Sequence, residues 1–195
     1  SDGYFDVYDD YLEGSSEYWI KGIDTEFDES NGSGAVDAIE DNVYVAPWGN
    51  DNLNTGLSYS SPFKTINYAI SRVYADSLNP ATIHLDNGIY STSTNGEIFP
   101  ISLINWIDIV GSDFSPTILN AEQNSRVIEC FNVNGSSMHN LIIENGTANT
   151  GGGIYAEWCN VEFNNLIIRN NYSEWSGGGA DIRFSVAQIK NSTFE

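Results

Sequence analysis

Asn50, Asp51, Asn52 and Asn54, just ahead of Gly56, gather hard oxygen donors in one short loop. Such donors suit calcium, which takes oxygen ligands. The set carries one carboxylate and lacks the bidentate glutamate of an EF-hand, so the expected affinity is weak, in the millimolar class of extracellular sites. The competing use of the same residues is an Asx-turn loop with no metal. Asp24, Glu26 and Asp28 also alternate, but on a strand they would share one side as a solvated edge. His84 and His139 lie far apart with no further ligand pattern around them, and are read as structural. Trp48, Trp106, Trp158 and Trp175 could stack on sugar rings if they shared a face; packing at loop tips is their other use. Five N-x-Ser/Thr triplets, at Asn31, Asn134, Asn145, Asn171 and Asn191, are glycosylation acceptors in a source with the machinery. Nothing in this inventory assigns a catalytic residue or a cofactor other than calcium.

The charge balance narrows the partners. Seven lysines and arginines stand against 27 acids, a net charge of −20. Nucleic acid is excluded, because its affinity comes from Lys and Arg at phosphates. Anionic membranes are disfavoured for the same reason, and no run is long enough to insert as a membrane helix. The balance suits a secreted, extracellular or cell-surface setting, or one rich in calcium. Ser1 is not a natural initiator, so the chain is expected to be processed or trimmed.

Two regions differ in character. Residues 1–42 hold 13 of the acids and one base, Lys21, interleaved with aromatics such as Tyr4, Phe5, Tyr18, Trp19 and Phe27. A disordered acidic tail would not carry so many rings. The segment is expected to be an arm that packs on something, with Glu17 to Ile23 as its strand and Asn31 to Gly34 as a loop. From residue 43 the pattern is strand and turn. Val43 to Ala46 reads as a strand. Ser61 as N-cap and Pro62 at the first helical position open an amphipathic helix over about 62–76, on the spacing of Phe63, Ile66, Ala69, Ile70, Val73 and Tyr74. Such a helix would cover the open end of a β-stack and hide its strand edges. Strands follow at Ala81 to Leu85, Phe99 to Leu103, Trp106 to Val110, Thr117 to Leu119, Arg126 to Val133 and Met138 to Ile143, with a turn at Asp86-Asn87-Gly88 and a loop from Ser91 to Glu97.

What those elements build is set by a repeat. Asn140-Leu-Ile-Ile-Glu-Asn145 recurs as Asn165-Leu-Ile-Ile-Arg-Asn170, and Asn191-Ser-Thr-Phe-Glu195 falls at the same interval again. Glycine triplets at 151–153 and 177–179 keep step. A period of about 25 residues without helical spacing implies a solenoid of β-coils, one repeat per turn. In register, Leu141 and Leu166 stack inward, as do Ile143, Ile168 and Phe194 two residues on. Asn140, Asn165 and Asn191 align at coil corners, as do Asn145 and Asn170, where asparagines can bond from coil to coil. The outward column Glu144, Arg169, Glu195 alternates in charge, and Glu157 falls beneath Arg183. For Cys130 and Cys159 two readings stand open, a disulfide between neighbouring coils or two buried free thiols.

The stretch Val43-Tyr44-Val45-Ala46-Pro47-Trp48-Gly49, the Asn/Asp loop, Gly56, Ser61 to Ile66 with Ala69, Thr82 to Leu85 and Gly88-Ile89-Tyr90 resembles the opening of the pectate-lyase-like right-handed parallel β-helix superfamily. It is most similar to secreted bacterial β-helix proteins of unknown function. Ile107 to Gly111 and Gly151 to Tyr155 continue the pattern. The resemblance covers residues 43–195, not the arm. It implies an all-β, right-handed parallel β-helix with an N-terminal capping helix and coils over about 81–195, continuing or capped by a partner beyond 195. It does not choose an activity, because the scaffold carries lyases, hydrolases, epimerases, adhesins and passive surface modules.

Lyases of this fold use a Lys or Arg base and a calcium held by outer-face acids. The bases within the coils here are Arg126, Arg169, Arg183 and Lys190, and none matches a family catalytic motif. Ladder salt bridges are the expected use of Arg169 and Arg183. The leading expectation is an extracellular structural or adhesive module that self-associates head-to-tail, its arm adding a strand to a neighbour's edge. An arm folded back on its own coils, giving a monomer, is the competing outcome. The alternative function is a carbohydrate-active enzyme, a polysaccharide lyase or hydrolase acting on an acidic polysaccharide, with calcium bridging the like charges.

Overall fold

The computed structural model describes residues 38–195, of which Glu40–Glu195 pack as one compact unit. The arm expected over 1–42, its strand at Glu17 to Ile23 and the sequon at Asn31 fall wholly or largely outside the described residues. The unit is a right-handed parallel β-helix with three faces. The first face stacks β1 (Val43–Val45), β2 (Ala81–Leu85), β5 (Ile107–Val110), the first half of β8 (Asn134–Glu144), the first half of β11 (Asn160–Arg169) and β14 (Val186–Lys190). The second stacks β3 (Gly88–Tyr90), β6 (Thr117–Asn120), the second halves of β8 and β11, and β15 (Thr193–Phe194). The third holds β4 (Ile101–Leu103), β7 (Ile128–Phe131), β10 (Ile154–Glu157) and β13 (Ala180–Arg183). A short ladder of β9 (Thr147–Thr150) and β12 (Tyr172–Ser176) lies between the second and third faces in chain order.

β8 and β11 turn a corner without ending, and the reason is local. Asn140 and Asn165 sit at φ of 58° and 54°. Asparagine tolerates this left-handed conformation better than most residues with a Cβ. One such residue flips the alternation, so Met138 and Leu141 both point inward. Asn191 marks the same corner one coil on, and Asn145 and Asn170 mark the next corner in the same way. Parallel register then aligns like with like: Leu166 over Leu141 and Ile168 over Ile143, with Phe194 over Ile168. On the third face the inward columns are Ile101, Ile128, Ile154, Ala180 and Leu103, Cys130, Ala156, Ile182.

The cap departs from expectation. The helix, α1, is Ile66–Arg72, about two turns, with Thr65 as N-cap rather than Ser61. Residues 61–63 are taken up elsewhere: Phe63 donates its N–H to Tyr44 and accepts from Ala46, so it runs as an extended partner along β1. Tyr44 also donates to the Gly56 carbonyl. The free edge of β1 is therefore covered by residues 56–63, and α1 covers the core through Ile66 and Ala69. At its other end Val73 is extended (φ −88°, ψ 129°) and stops the helix short of 76.

Candidate functional site

Alternation puts Thr82, Asp108, Ser137, Glu162 and Gln188 in one outward column of the first face. Tyr44, His84, Val110, His139, Asn164 and Lys190 form the next. The two histidines thus share a column with one residue between them, although 55 positions separate them along the chain. A shallow polar groove runs past Asp108, Ser137, His139, Glu162 and Gln188.

Within it Ser137 Oγ donates to Asp108 Oδ1 at 2.6 Å and lies 2.8 Å from His139 Nε2. With the hydroxyl proton given to Asp108, the imidazole nitrogen is the donor in the second contact. A nucleophilic serine needs the opposite order, with histidine taking the hydroxyl proton and the carboxylate behind it. The trio as arranged orders the groove. Glu162 accepts from Lys190 Nζ at 2.6 Å, and that bond holds its carboxyl below the usual range.

All four coil bases are engaged. Arg169 pairs with Glu144 at 2.7 Å, one coil away and in register, as the ladder predicts. Glu144 is more buried than an outward position suggests, because Arg169 and the Asn120 amide both close over it. Glu195 follows in register through its N–H to Ile168, but is exposed. Arg183 lies in register with Glu157 yet pairs with Asp181 on its own strand, at 2.8 Å. Glu157 is taken by the Tyr155 hydroxyl at 2.6 Å, which corrects the expected bridge there. Arg126 pairs with Glu129, donates to the Thr150 and Gly151 carbonyls and lies over the Tyr155 ring.

The loop proposed for calcium is placed by hydrogen bonds. Asn50 Oδ1 accepts from the N–H groups of Asn52 and Leu53, an Asx turn. Asp51 Oδ1 accepts from Lys64 and Thr65 N–H, its Oδ2 from the Thr65 hydroxyl. Asn54 donates its amide to the Pro62 carbonyl, and Asn52 is exposed. No group of three His, Cys, Asp or Glu side chains suited to a metal occurs among the described residues.

The remaining candidates scatter. Trp48 is exposed and donates to Asp86 Oδ2 at 3.3 Å. Trp106 has φ 63° and lies over Gly135, where a Cβ would strike its ring. Trp158 stacks on Phe184 with centroids 4.5 Å apart, and Trp175 is exposed on β12. Asn134 and Asn191 are exposed and Asn145 half-buried. The Asn191 amide donates to Asn164 Oδ1; the half-buried Asn171 accepts from Gly146 N–H and donates to the Ile143 carbonyl. Cys130 and Cys159 are both buried free thiols, and burial pushes the Cys130 thiol up.

No curated protein matches the chain. Among solved structures, a rhamnogalacturonan lyase is similar at 14% identity with a TM-score of 0.47, over 79% of this chain. This chain spans about half of that one, 51%. Residues 48–194 match the family described as "Protein of unknown function (DUF1565)". With that match spanning most of the β-helix, the chain belongs to the DUF1565 family, here folded as a parallel β-helix.

Proposed function

We propose that this chain is an extracellular structural or adhesive module, whose coils present a rigid surface rather than a reaction centre. The engagement of all four coil bases carries the reading. A lyase needs a Lys or Arg free to take a proton, and here Arg126, Arg169, Arg183 and Lys190 each hold a carboxylate. The finer part of the proposal is self-association through residues 1–42. Its support is their aromatic-rich sequence.

The groove of Asp108, Ser137, His139 and Glu162 favours a second reading, a carbohydrate-active enzyme on an acidic polysaccharide. One comparison separates the two. The full chain is assayed for unsaturated ends and for new reducing ends on pectate and alginate, with millimolar calcium and with chelator. The module reading expects no turnover in either buffer, and calcium-dependent turnover would replace it with the enzyme. The same buffers test weak calcium binding at Asn50, Asp51, Asn52 and Asn54 through the thermal midpoint. Light scattering with and without residues 1–42 tests self-association: monomers in both samples would remove it.

A further inference from the structure

On the second face the inward residues are Tyr90, Leu119, Ile143 and Ile168, so the residues just before them point outward. Those are Ile89, Ile118, Ile142 and Ile167, and parallel register stacks them in one column across four coils. Ile89 and Ile167 are 42% and 36% exposed, and the other two are half-buried. Outward columns of the other faces carry charge instead, such as Asp108 and Glu162 on the first and Glu129 and Asp181 on the third. An unbroken apolar column facing water adds nothing to the core and marks an interaction surface. Beside it lies a groove of about 320 Å³. Ile142, Ile167 and the 96% exposed Phe114 give it apolar lining, and Asp113, Asn140 and Asn165 give it polar lining. The Asn165 amide donates to Asn140 Oδ1 at 2.9 Å, and the Asn140 amide to Asp113 Oδ1 at 2.6 Å. That chain of bonds holds the Asp113 carboxylate at the groove and leaves its Oδ2 without a partner among the described residues.

We propose that this face docks an extended segment of another protein in which apolar side chains alternate with Lys or Arg. The apolar side chains lie on the isoleucine column. The aliphatic stem of a Lys or Arg lies over Ile142 and Ile167 while its charged head reaches Asp113 Oδ2. Charge selects the partner. Exposed Asp113 and Glu195 stand on the two sides of the column, and the one base on the strands of this face, Arg169, is held by Glu144. A second copy, at −20, brings like charge to these flanks, and so does the sequence of residues 1–42, with 13 acids and one base. Size selects a segment. At about 4.8 Å per coil the column is roughly 15 Å long and one side chain wide, far short of the roughly 800 Å² per side of a stable dimer. The surface lies apart from the polar groove of the first face, and it stands whether or not the coils turn over a polysaccharide.

Fluorescence anisotropy of the full chain with a labelled peptide of six Lys-Leu repeats tests it. Peptides of six Lys-Ser and six Glu-Leu repeats supply the charge alone and the apolar side chains alone. Saturable binding of the Lys-Leu peptide is expected, about tenfold or more tighter than either control. Ile142→Thr with Ile167→Thr keeps the β-branched shape and should weaken it by about tenfold. Asp113→Asn, on an exposed loop, should weaken it by about threefold and lessen its salt dependence, and it keeps the test open if the double variant fails to fold. Phe184→Ser, at an exposed apolar residue on another corner, should leave it unchanged. Circular dichroism checks that each variant keeps its fold. Four outcomes would overturn the proposal. The Lys-Leu peptide fails to saturate; either control binds as tightly; the isoleucine and Asp113 variants bind as the parent does; or light scattering shows an oligomeric parent that the isoleucine variant turns monomeric, which gives the face to a second copy.

Discussion

Around α1 the orphan backbone donors are met by side chains reaching in from distant segments, whereas around β8 and β11 they are met by strands one coil away. Glu97 is fully buried and accepts from Ile66 N–H at 2.7 Å, Asn67 N–H at 3.2 Å and the Asn67 amide at 2.8 Å. Asn95 ties the same loop to the Lys64 carbonyl, and Tyr90 bonds the carbonyls of Val45 and Asp86. The repeated coils use polar side chains mostly at corners and on the surface, while their interior columns are largely apolar. A cap built from unique contacts should fail at single residues. A ladder built from repeats should spread the loss of any one.

The sharpest break should come at Glu97. Glu97→Ala strands buried donors at the start of α1, and a loss of about 3 kcal/mol is expected in urea unfolding. Glu97→Gln keeps an acceptor and should cost less. The pH dependence tells the two states of the carboxyl apart. Burial raises the Glu97 carboxyl even though backbone N–H bonds pull the other way. Its folded value then lies above its unfolded one of about 4.3. The folded state binds the extra proton, so this group favours folding most below the unfolded value, and that contribution fades as pH rises through the folded value. The parent should therefore lose stability across that window relative to Glu97→Gln. Parallel curves for the two would show that Glu97 does not titrate this way.

How much could be read beforehand follows the same division. The coils were legible because each repeat states its neighbour's register: Leu141 over Leu166 and Glu144 over Arg169 need only alignment. The cap was legible in kind and not in detail. Ser61-Pro62 carries a valid helix-start signal, but pairing of Phe63 with β1 outweighs it, and no local pattern announces that long-range contact. Glu97 sits in a run of Ser, Thr, Asn and Gly that reads as a surface loop, and only the fold brings it to Ile66. Arg183 shows the limit of register alone. The alignment with Glu157 is right, yet Asp181 on the same strand and the Tyr155 hydroxyl take the two partners.

A middle-sized effect is expected on the ladder itself. Arg169→Glu sets an acid beside Glu144, which Arg169 and Asn120 otherwise cover. Cross-strand like charges at about 4.8 Å repel, and a cost of about 1 to 2 kcal/mol should appear in chemical unfolding. Adding Glu144→Arg to make the swapped pair should recover most of it. If the double variant is no better than the single, the loss comes from packing at residue 169 rather than from the pair.

The smallest effect separates backbone from side chain at a coil corner. Asn165 holds φ of 54° and donates its amide to Asn140 Oδ1 at 2.9 Å. Both features suit asparagine, but they predict different variants. Asn165→Gly loses the amide bond and keeps easy access to positive φ, so it should change stability by less than about 0.5 kcal/mol if conformation dominates. Asn165→Ala loses the bond and also places an ordinary Cβ in the left-handed region, which should cost about 1 kcal/mol. The bond is at the surface, where water competes for both amides, so its own share is expected to be the lesser one. Chemical unfolding of the two variants reads the order directly. Glycine falling as far as alanine would mean that the coil-to-coil amide bond, and not the corner's backbone, is what keeps asparagine there.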